Sequence, residues 1–259
     1  MIRFCNLYSG SSGNSTYIET ENAKILVDAG VSCQKISKAL SQIGVDLDEI
    51  NAILVTHEHI DHTKGLATIT KKFHTPVYAT AKTWNQMSDL NIERDSMHTF
   101  EIGDTFQISN TLIHPFGIPH DAVDPCSFSI TSDNKKITVA TDIGHVENHL
   151  VEEMVGSDIL LIESNYDRDT LLCGAYPYFL KKRIASDFGH LSNEACGKLV
   201  KKLYENGVTK FVLGHLSKEN NFPELAYQTV LNELNSSSSK VPFHLSVAGR
   251  DSIDEVIQI

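Results

Sequence analysis

The segment Val55-Thr56-His57-Glu58-His59-Ile60-Asp61-His62 (VTHEHIDH) closes the apolar run INAILVT, Ile50 to Thr56, with three histidines and two acids in six residues. The run reads as a buried strand. His57 and His59, two residues apart at its end, can then point to one side, while Asp61 and His62 follow where the chain turns away. Neutral imidazoles and a carboxylate suit zinc or a similar divalent ion, and a catalytic zinc takes three protein ligands and keeps one position open for water. A histidine-rich surface loop without metal is the simpler reading of a lone HxH. The flanking strand and the DH extension weigh against it. One motif cannot fill two such sites, so further ligands are expected downstream.

Outward from this motif the chain alternates strands and helices. Upstream, IRFCNLYS, STYIET and KILVDAG read as strands, and CQKISKALSQIG, Cys33 to Gly44, as a helix closed by glycine. Downstream, HTKGLATITKKF reads as a helix and PVYAT as a strand, with strand groups from Thr99 to Ile118 and from Ser127 to Thr141. DIGHVENHLVEEMV, Asp142 to Val155, is expected to be helical and SDILLIES to be a short strand. NEACGKLVKKLYENG is an amphipathic helix ending at Gly207, and TKFVLGH is another buried strand. Two strand-rich halves, each trailed by helices, predict an α/β fold, a four-layer αβ/βα sandwich, with residues 1–259 as a single domain. Ser236 to Ser239 is the one low-complexity tract, a surface loop.

Composition narrows the function classes. The 259 residues are 41% hydrophobic and 21% charged, enough for a substantial core. A formal net charge of −11 excludes a protein that coats nucleic acid through bulk positive potential; any such contact must be local. Five scattered cysteines form no CxxC, so neither a disulfide framework nor a cysteine zinc site is expected. No segment has the length and apolarity of a membrane span or the pattern of a signal peptide, which leads to the expectation of a cytoplasmic protein with no membrane partner.

The missing ligands each follow a strand-like run: His120 after TLIHPFGIP, Asp142 after KKITVAT and His215 after KFVLG. With these in place the sequence resembles the metallo-β-lactamase superfamily, whose HxHxDH, H, D and H motifs occur in this order along nearly the whole chain. It resembles ribonuclease Z and, more closely, the YycJ/WalJ branch, through HDAVDP at His120, TDIGHV at Asp142, YPYFLKKRIASDFGHLSNEAC from Tyr176 to Cys196, and GHLSKENN at His215. The resemblance implies the metallo-β-lactamase fold and two divalent metal ions, zinc foremost, with manganese or iron accepted by the same donors. It implies one ion on His57, His59 and His120, a second on Asp61, His62 and His215, and Asp142 as the bridge. Asp61 is counted with the catalytic residues as well.

His190, in FGHLSNEA, sits where ribonuclease Z-like proteins carry a histidine that assists the leaving oxygen; helix capping or a core position is the alternative. Ser12 and Asn14, in the turn SGSSGNS, are candidate phosphate contacts through a backbone nest, although a hairpin turn needs no such role. Lys181, Lys182 and Arg183, interleaved with Tyr176, Tyr178 and Phe179, are candidate nucleic-acid contacts, against the plainer reading of a solvated helix face. Glu58 either orders the histidines or faces solvent, and His145 either lines the cleft or sits on a surface helix.

The expected activity is a metal-dependent phosphodiesterase or nuclease that uses a metal-activated hydroxide. The branch resemblance implies a 5′-to-3′ DNA exonuclease in DNA repair. A small-molecule esterase or cyclic phosphodiesterase of the same fold is the competing enzyme class, and a non-catalytic, metal-dependent signalling partner is the competing binding class. The sequence carries no signal for oligomeric state.

Overall fold

The apolar runs become strands where their residues can be buried on both faces. The computed structural model describes residues 1–259, which separate into two compact units: unit 1 is 1–117, 122–135 and 249–259, and unit 2 is 118–121 and 136–248. The strands fall into two mixed seven-stranded sheets.

In unit 1 the order along the chain begins β1 (Arg3–Tyr8), β2 (Ser15–Glu19), β3 (Lys24–Val27), α1 (Cys33–Gln42), β4 (Ala52–Leu54), α2 (Ile60–Thr63) and α3 (Leu66–Phe73). It continues with β5 (Val77–Thr80), α4 (Ala81–Gln86), β6 (Met97–Phe100), β7 (Phe106–Ile108), β8 (Thr111–Gly117) and β9 (Cys126–Ser132). The runs β1-β2-β3 and β7-β8-β9 are antiparallel, and β3-β4-β5-β6 is parallel. Helix α1 buries Cys33, Ile36, Ala39 and Leu40, the spacing of one helical face, and Ser32 caps it by accepting from the Lys35 N–H. That face joins Tyr17, Leu26, Ile53, Val77 and Trp84 in one apolar cluster. Emptying such a position, as in Leu40→Ala, costs about 2–5 kcal/mol.

Unit 2 carries β10 (Lys135–Ala140) from its second residue on, α5 (Asn148–Met154), β11 (Ile159–Glu163), α6 (Arg168–Cys173), α7 (Tyr178–Ile184) and α8 (Asn193–Glu205). After them come β12 (Lys210–Gly214), α9 (Pro223–Asn235) and β13 (His244–Val247). The chain returns to unit 1 for β14 (Ile257–Gln258), which pairs with β1. Strands β10 to β13 are all parallel. Helix α8 is capped by Ser192, which accepts from the Ala195 N–H, and buries Cys196, Leu199, Val200 and Leu203. No helix is long and apolar enough to cross a membrane.

Two expectations change. The stretch from His62 to Phe73 is not one helix but α2 and α3, because the Gly65 N–H is spent on the Ala29 carbonyl (2.7 Å) rather than on helix continuation. Residues 142–147 are not helical either. Asp142 has a left-handed φ of 61°, the Ile143 N–H donates to Glu163 Oε2 (2.7 Å) and the Gly144 N–H to the Pro119 carbonyl (2.7 Å), so α5 starts only at Asn148. His145 therefore sits in a loop.

Candidate metal centre

Parallel strands deliver their carboxyl ends to one edge, the place where α/β proteins gather ligand groups. In unit 1, Leu26 pairs with Ile53 and Val27 with Leu54, so Asp28 and Thr56 emerge side by side. Asp28, at a φ of 63°, turns its buried carboxylate onto the loop: Oδ1 accepts from the Thr56 N–H (2.9 Å), and Oδ2 accepts from Thr56 Oγ1 (2.9 Å) and His62 Nδ1 (2.8 Å). A carboxylate only accepts, so His62 carries its proton on Nδ1 and presents the Nε2 lone pair. The Asn14 amide Nδ2 meets that atom at 3.1 Å. His57 Nδ1 lies 3.0 Å from Thr56 Oγ1, and His57 Nε2 lies 3.0 Å from His59 Nδ1. Asp61 Oδ2 stands 3.5 Å from His62 Nε2. All four residues of HxHxDH thus collect their donor atoms in one small volume.

The loop is held by backbone as much as by side chains. The Asn14 N–H donates to the Asp61 carbonyl (2.8 Å), and a Cβ on Gly30 would lie 1.6 Å from that same oxygen, so only glycine lets the two segments approach. Asn14, read from sequence as a phosphate contact, is buried, and its side chain is engaged with Gly10, Asp61 and His62. Ser12 is exposed in the same turn. Glu58 neither touches the histidines nor simply faces solvent: its Oε1 accepts from the Val123 N–H (2.9 Å).

Unit 2 repeats the strand-end logic with Ala140, Ile162 and Leu213 in register, which brings Asp142, Glu163 and His215 together. Three imidazole nitrogens converge on Asp142 Oδ1: His215 Nε2 at 3.3 Å, His190 Nδ1 at 3.7 Å and His120 Nε2 at 3.8 Å. Asp142, Glu163, His190 and His215 offer donor atoms within 4.8 Å of one another. His120 Nδ1 donates to the Gly189 carbonyl (3.1 Å), which leaves Nε2 as its lone pair. Asn165 Nδ2 donates to the His215 carbonyl (2.7 Å), and His215 sits at a φ of 55°. Glu163 is saturated, with His190 Nδ1 on Oε1 (2.7 Å) and the Ile143 and Leu191 N–H groups on Oε2. Burial pulls the His190 pKa down, but the charge and hydrogen bond of Glu163, with Asp142 and Asp121 behind them, push it up to about 9.

The donor chemistry fits a divalent metal. Imidazole Nε2 atoms fixed by second partners, beside carboxylate oxygens, are the ligand type that zinc, manganese and iron share. The basic stretch of α7 lies in unit 2 with unequal freedom. Lys181 Nζ donates to the Leu172 and Gly174 carbonyls (2.7 Å each), Arg183 Nε is paired with Asp121, and Lys182 Nζ stands 5.6 Å over the Tyr178 ring. His145 bonds the Asp187 carbonyl through Nδ1 and Glu147 through Nε2.

A family model described as a beta-lactamase superfamily domain matches residues 23–216. The chain belongs to the metallo-β-lactamase superfamily. Within it, the chain is 41% identical over 237 residues to the exodeoxyribonuclease WalJ of Streptococcus pneumoniae, covering 90% of this chain and 88% of that one. It is 37% identical over 231 residues to the exodeoxyribonuclease YycJ of Bacillus anthracis, covering 88% of each. Among solved structures, the metallo-β-lactamase fold protein YhfI of Bacillus subtilis superposes with a TM-score of 0.75 at 15% identity, over 98% of this chain and all of that one, a likeness of fold. The α/β sandwich expected from the sequence is therefore the superfamily's fold.

Sequence reasoning missed Asp28, Thr56 and Glu163. Their signal was present, since each polar side chain follows an apolar run of the sequence, at Val27, Val55 and Ile162.

Proposed function

We propose that residues 1–259 work as one metal-dependent hydrolase domain, an exodeoxyribonuclease that shortens DNA from the 5′ end. The observation that carries the hydrolytic reading is the convergence of His120, His190 and His215 on Asp142 Oδ1. DNA as substrate is supported by the two exodeoxyribonuclease relatives, which match over most of their length. The 5′ polarity and the role in DNA repair come from the branch resemblance; the cytoplasmic location is the expectation drawn from the sequence pattern.

In this reading His57, His59 and His120 serve one ion, Asp61, His62 and His215 a second, and Asp142 both; zinc is the first choice, manganese or iron the others. Bound divalent ions would lower the pKa of a water and offset charge on the scissile phosphate. The chain's own residues supply the rest. Asp28 and Gly189 fix the ring orientation and tautomer of His62 and His120. Glu163 binds His190 Nδ1, so that the opposite ring nitrogen is the one available to protonate the departing oxygen. Asn14 supports the Asp61–His62 turn, and Lys182 is the least engaged cation of the stretch from Lys181 to Arg183, with Ser12 exposed near Asn14 as a phosphate contact.

The test is cleavage of end-labelled DNA and RNA, single- and double-stranded, by metal-stripped protein to which zinc, manganese or iron is returned. Stepwise shortening of 5′-phosphorylated DNA is the expected result. Brisk hydrolysis of a small phosphodiester with no shortening of DNA under any metal would transfer the assignment to the small-molecule esterase class.

A further inference from the structure

Tyr166 and Ser192 are joined as a short parallel bridge, with the Asn193 N–H donating to the Tyr166 carbonyl (2.9 Å). This bridge forms a wall shared by two cavities of unit 2. The smaller, about 340 Å³, contains His190. The larger, about 650 Å³, lies against Tyr166 and Ser192 and is lined further by Arg168, Tyr178, Lys181 and Lys182. Its volume is that of a small-molecule or nucleotide site.

The lining sets its chemistry. Three cations and no carboxylate line the larger cavity, in a chain whose formal net charge is −11. Lys181 has spent two donors on carbonyl groups, whereas Arg168 and Lys182 are exposed. Tyr178 is 75% exposed, and Lys182 Nζ is placed over its ring. An exposed ring beside exposed cations costs apolar hydration unless something stacks on it, and a nucleobase with its phosphate satisfies both the ring and the charges.

We propose that the larger cavity holds one nucleotide of a single strand, next to the phosphate presented to His190, with its base on Tyr178 and its phosphates on Arg168 and Lys182. This rests on the nuclease reading above. A base inside a duplex has both faces covered and cannot stack on Tyr178, so the strand enters the cavity unpaired. A duplex is therefore a substrate only from an end that has opened.

The experiment measures binding of metal-loaded protein to a phosphorothioate-linked, cleavage-resistant single strand by fluorescence anisotropy over a salt series. Tyr178→Ala should weaken binding by roughly 5- to 160-fold, the range for losing one stacked base, and Tyr178→Trp should restore it. Arg168→Ala with Lys182→Ala should weaken binding and reduce the log–log salt slope by about 1.4 units, as expected for two lost phosphate contacts on a single strand. Lys38→Ala with Lys72→Ala, on exposed faces of α1 and α3, removes the same charge elsewhere and should leave affinity unchanged. Retained melting temperatures establish that each variant is folded. Equal loss from the Lys38 and Lys72 changes, equal affinity for blunt duplex and single strand, or unaltered affinity in the cavity variants would each overturn the assignment. A parent protein that degrades DNA while the cavity variants bind normally defeats this inference alone; a parent that neither binds nor shortens DNA defeats the nuclease reading beneath it.

Discussion

His190 Nδ1 lies 2.7 Å from Glu163 Oε1, and Glu163 takes two backbone N–H groups on its other oxygen. The carboxylate therefore holds the ring, the segment that carries it at Leu191 and the Asp142 loop at Ile143. His190→Ala should retain its metal and lose turnover by roughly 10²- to 10⁴-fold, the contribution of a positioned proton donor. Glu163→Gln should lower turnover too, and should destabilise the fold by about 1–3 kcal/mol because the single amide oxygen cannot accept both from His190 Nδ1 and from the Ile143 and Leu191 N–H groups. Metal analysis beside single-turnover kinetics checks both, and unchanged turnover in His190→Ala would make that histidine structural.

Asp142 is the carboxylate on which the unit 2 imidazoles converge. Asp142→Asn halves its accepting capacity and removes its charge, so metal content per chain and turnover should fall together. Elemental analysis after equilibration with each metal is the measurement. Full occupancy in the variant, or metal content near zero in the parent under every add-back condition, would contradict the assignment.

Asp28 acts on His62 from behind. Asp28→Asn offers an amide where His62 Nδ1 and the Thr56 hydroxyl now find acceptors, which frees the ring to rotate. A 10- to 100-fold loss of metal affinity is expected, roughly the cost of removing such a support. Competition with a chromogenic chelator reads it directly. Affinity equal to the parent's would show that the Asp28 bond to His62 has no bearing on metal.

Asp254 tests the pH response of unit 1. Burial raises its carboxyl pKa to about 6, against hydrogen bonds from Gly249 and Asn6 that pull it down. A raised acid favours the protonated native state, so its contribution is complete below about pH 4, the unfolded value, and is lost as pH rises through about 6. Asp254→Asn keeps an acceptor for the Gly249 N–H and removes the charge. The variant should exceed the parent in urea stability by roughly 1–3 kcal/mol at pH 8, with the difference closing below pH 4. A difference that does not vary with pH would refute this.

Much of this protein was legible without coordinates. Runs such as KILVDAG, INAILVT, SDILLIES and TKFVLGH are too short for helices and rich in β-branched residues, so they read as strands, and a histidine or acid at the end of such a run falls at the strand's end. That is why His57, His59, His120, Asp142 and His215 could be named from spacing and family pattern. Helices α1 and α8 were equally plain, because each carries a side-chain cap, an apolar stripe and a closing glycine. Less was visible where local pattern and tertiary demand disagree: Asp142 to Glu147 has helical composition, yet its first N–H groups are claimed by Glu163 and Pro119.

By itself, then, the sequence determined the strand-and-helix alternation and the residues whose chemistry fits metal, because burial periodicity and donor type are local properties. Only the tertiary structure decided which atom of each residue is presented. Asp28 choosing the tautomer of His62, Gly189 that of His120, Glu163 restraining His190, and Asn14 turning inward to the histidine loop are contacts between segments tens of residues apart. A hydrogen bond is satisfied by whatever the fold brings within about 3 Å, and separation along the chain says nothing of that distance.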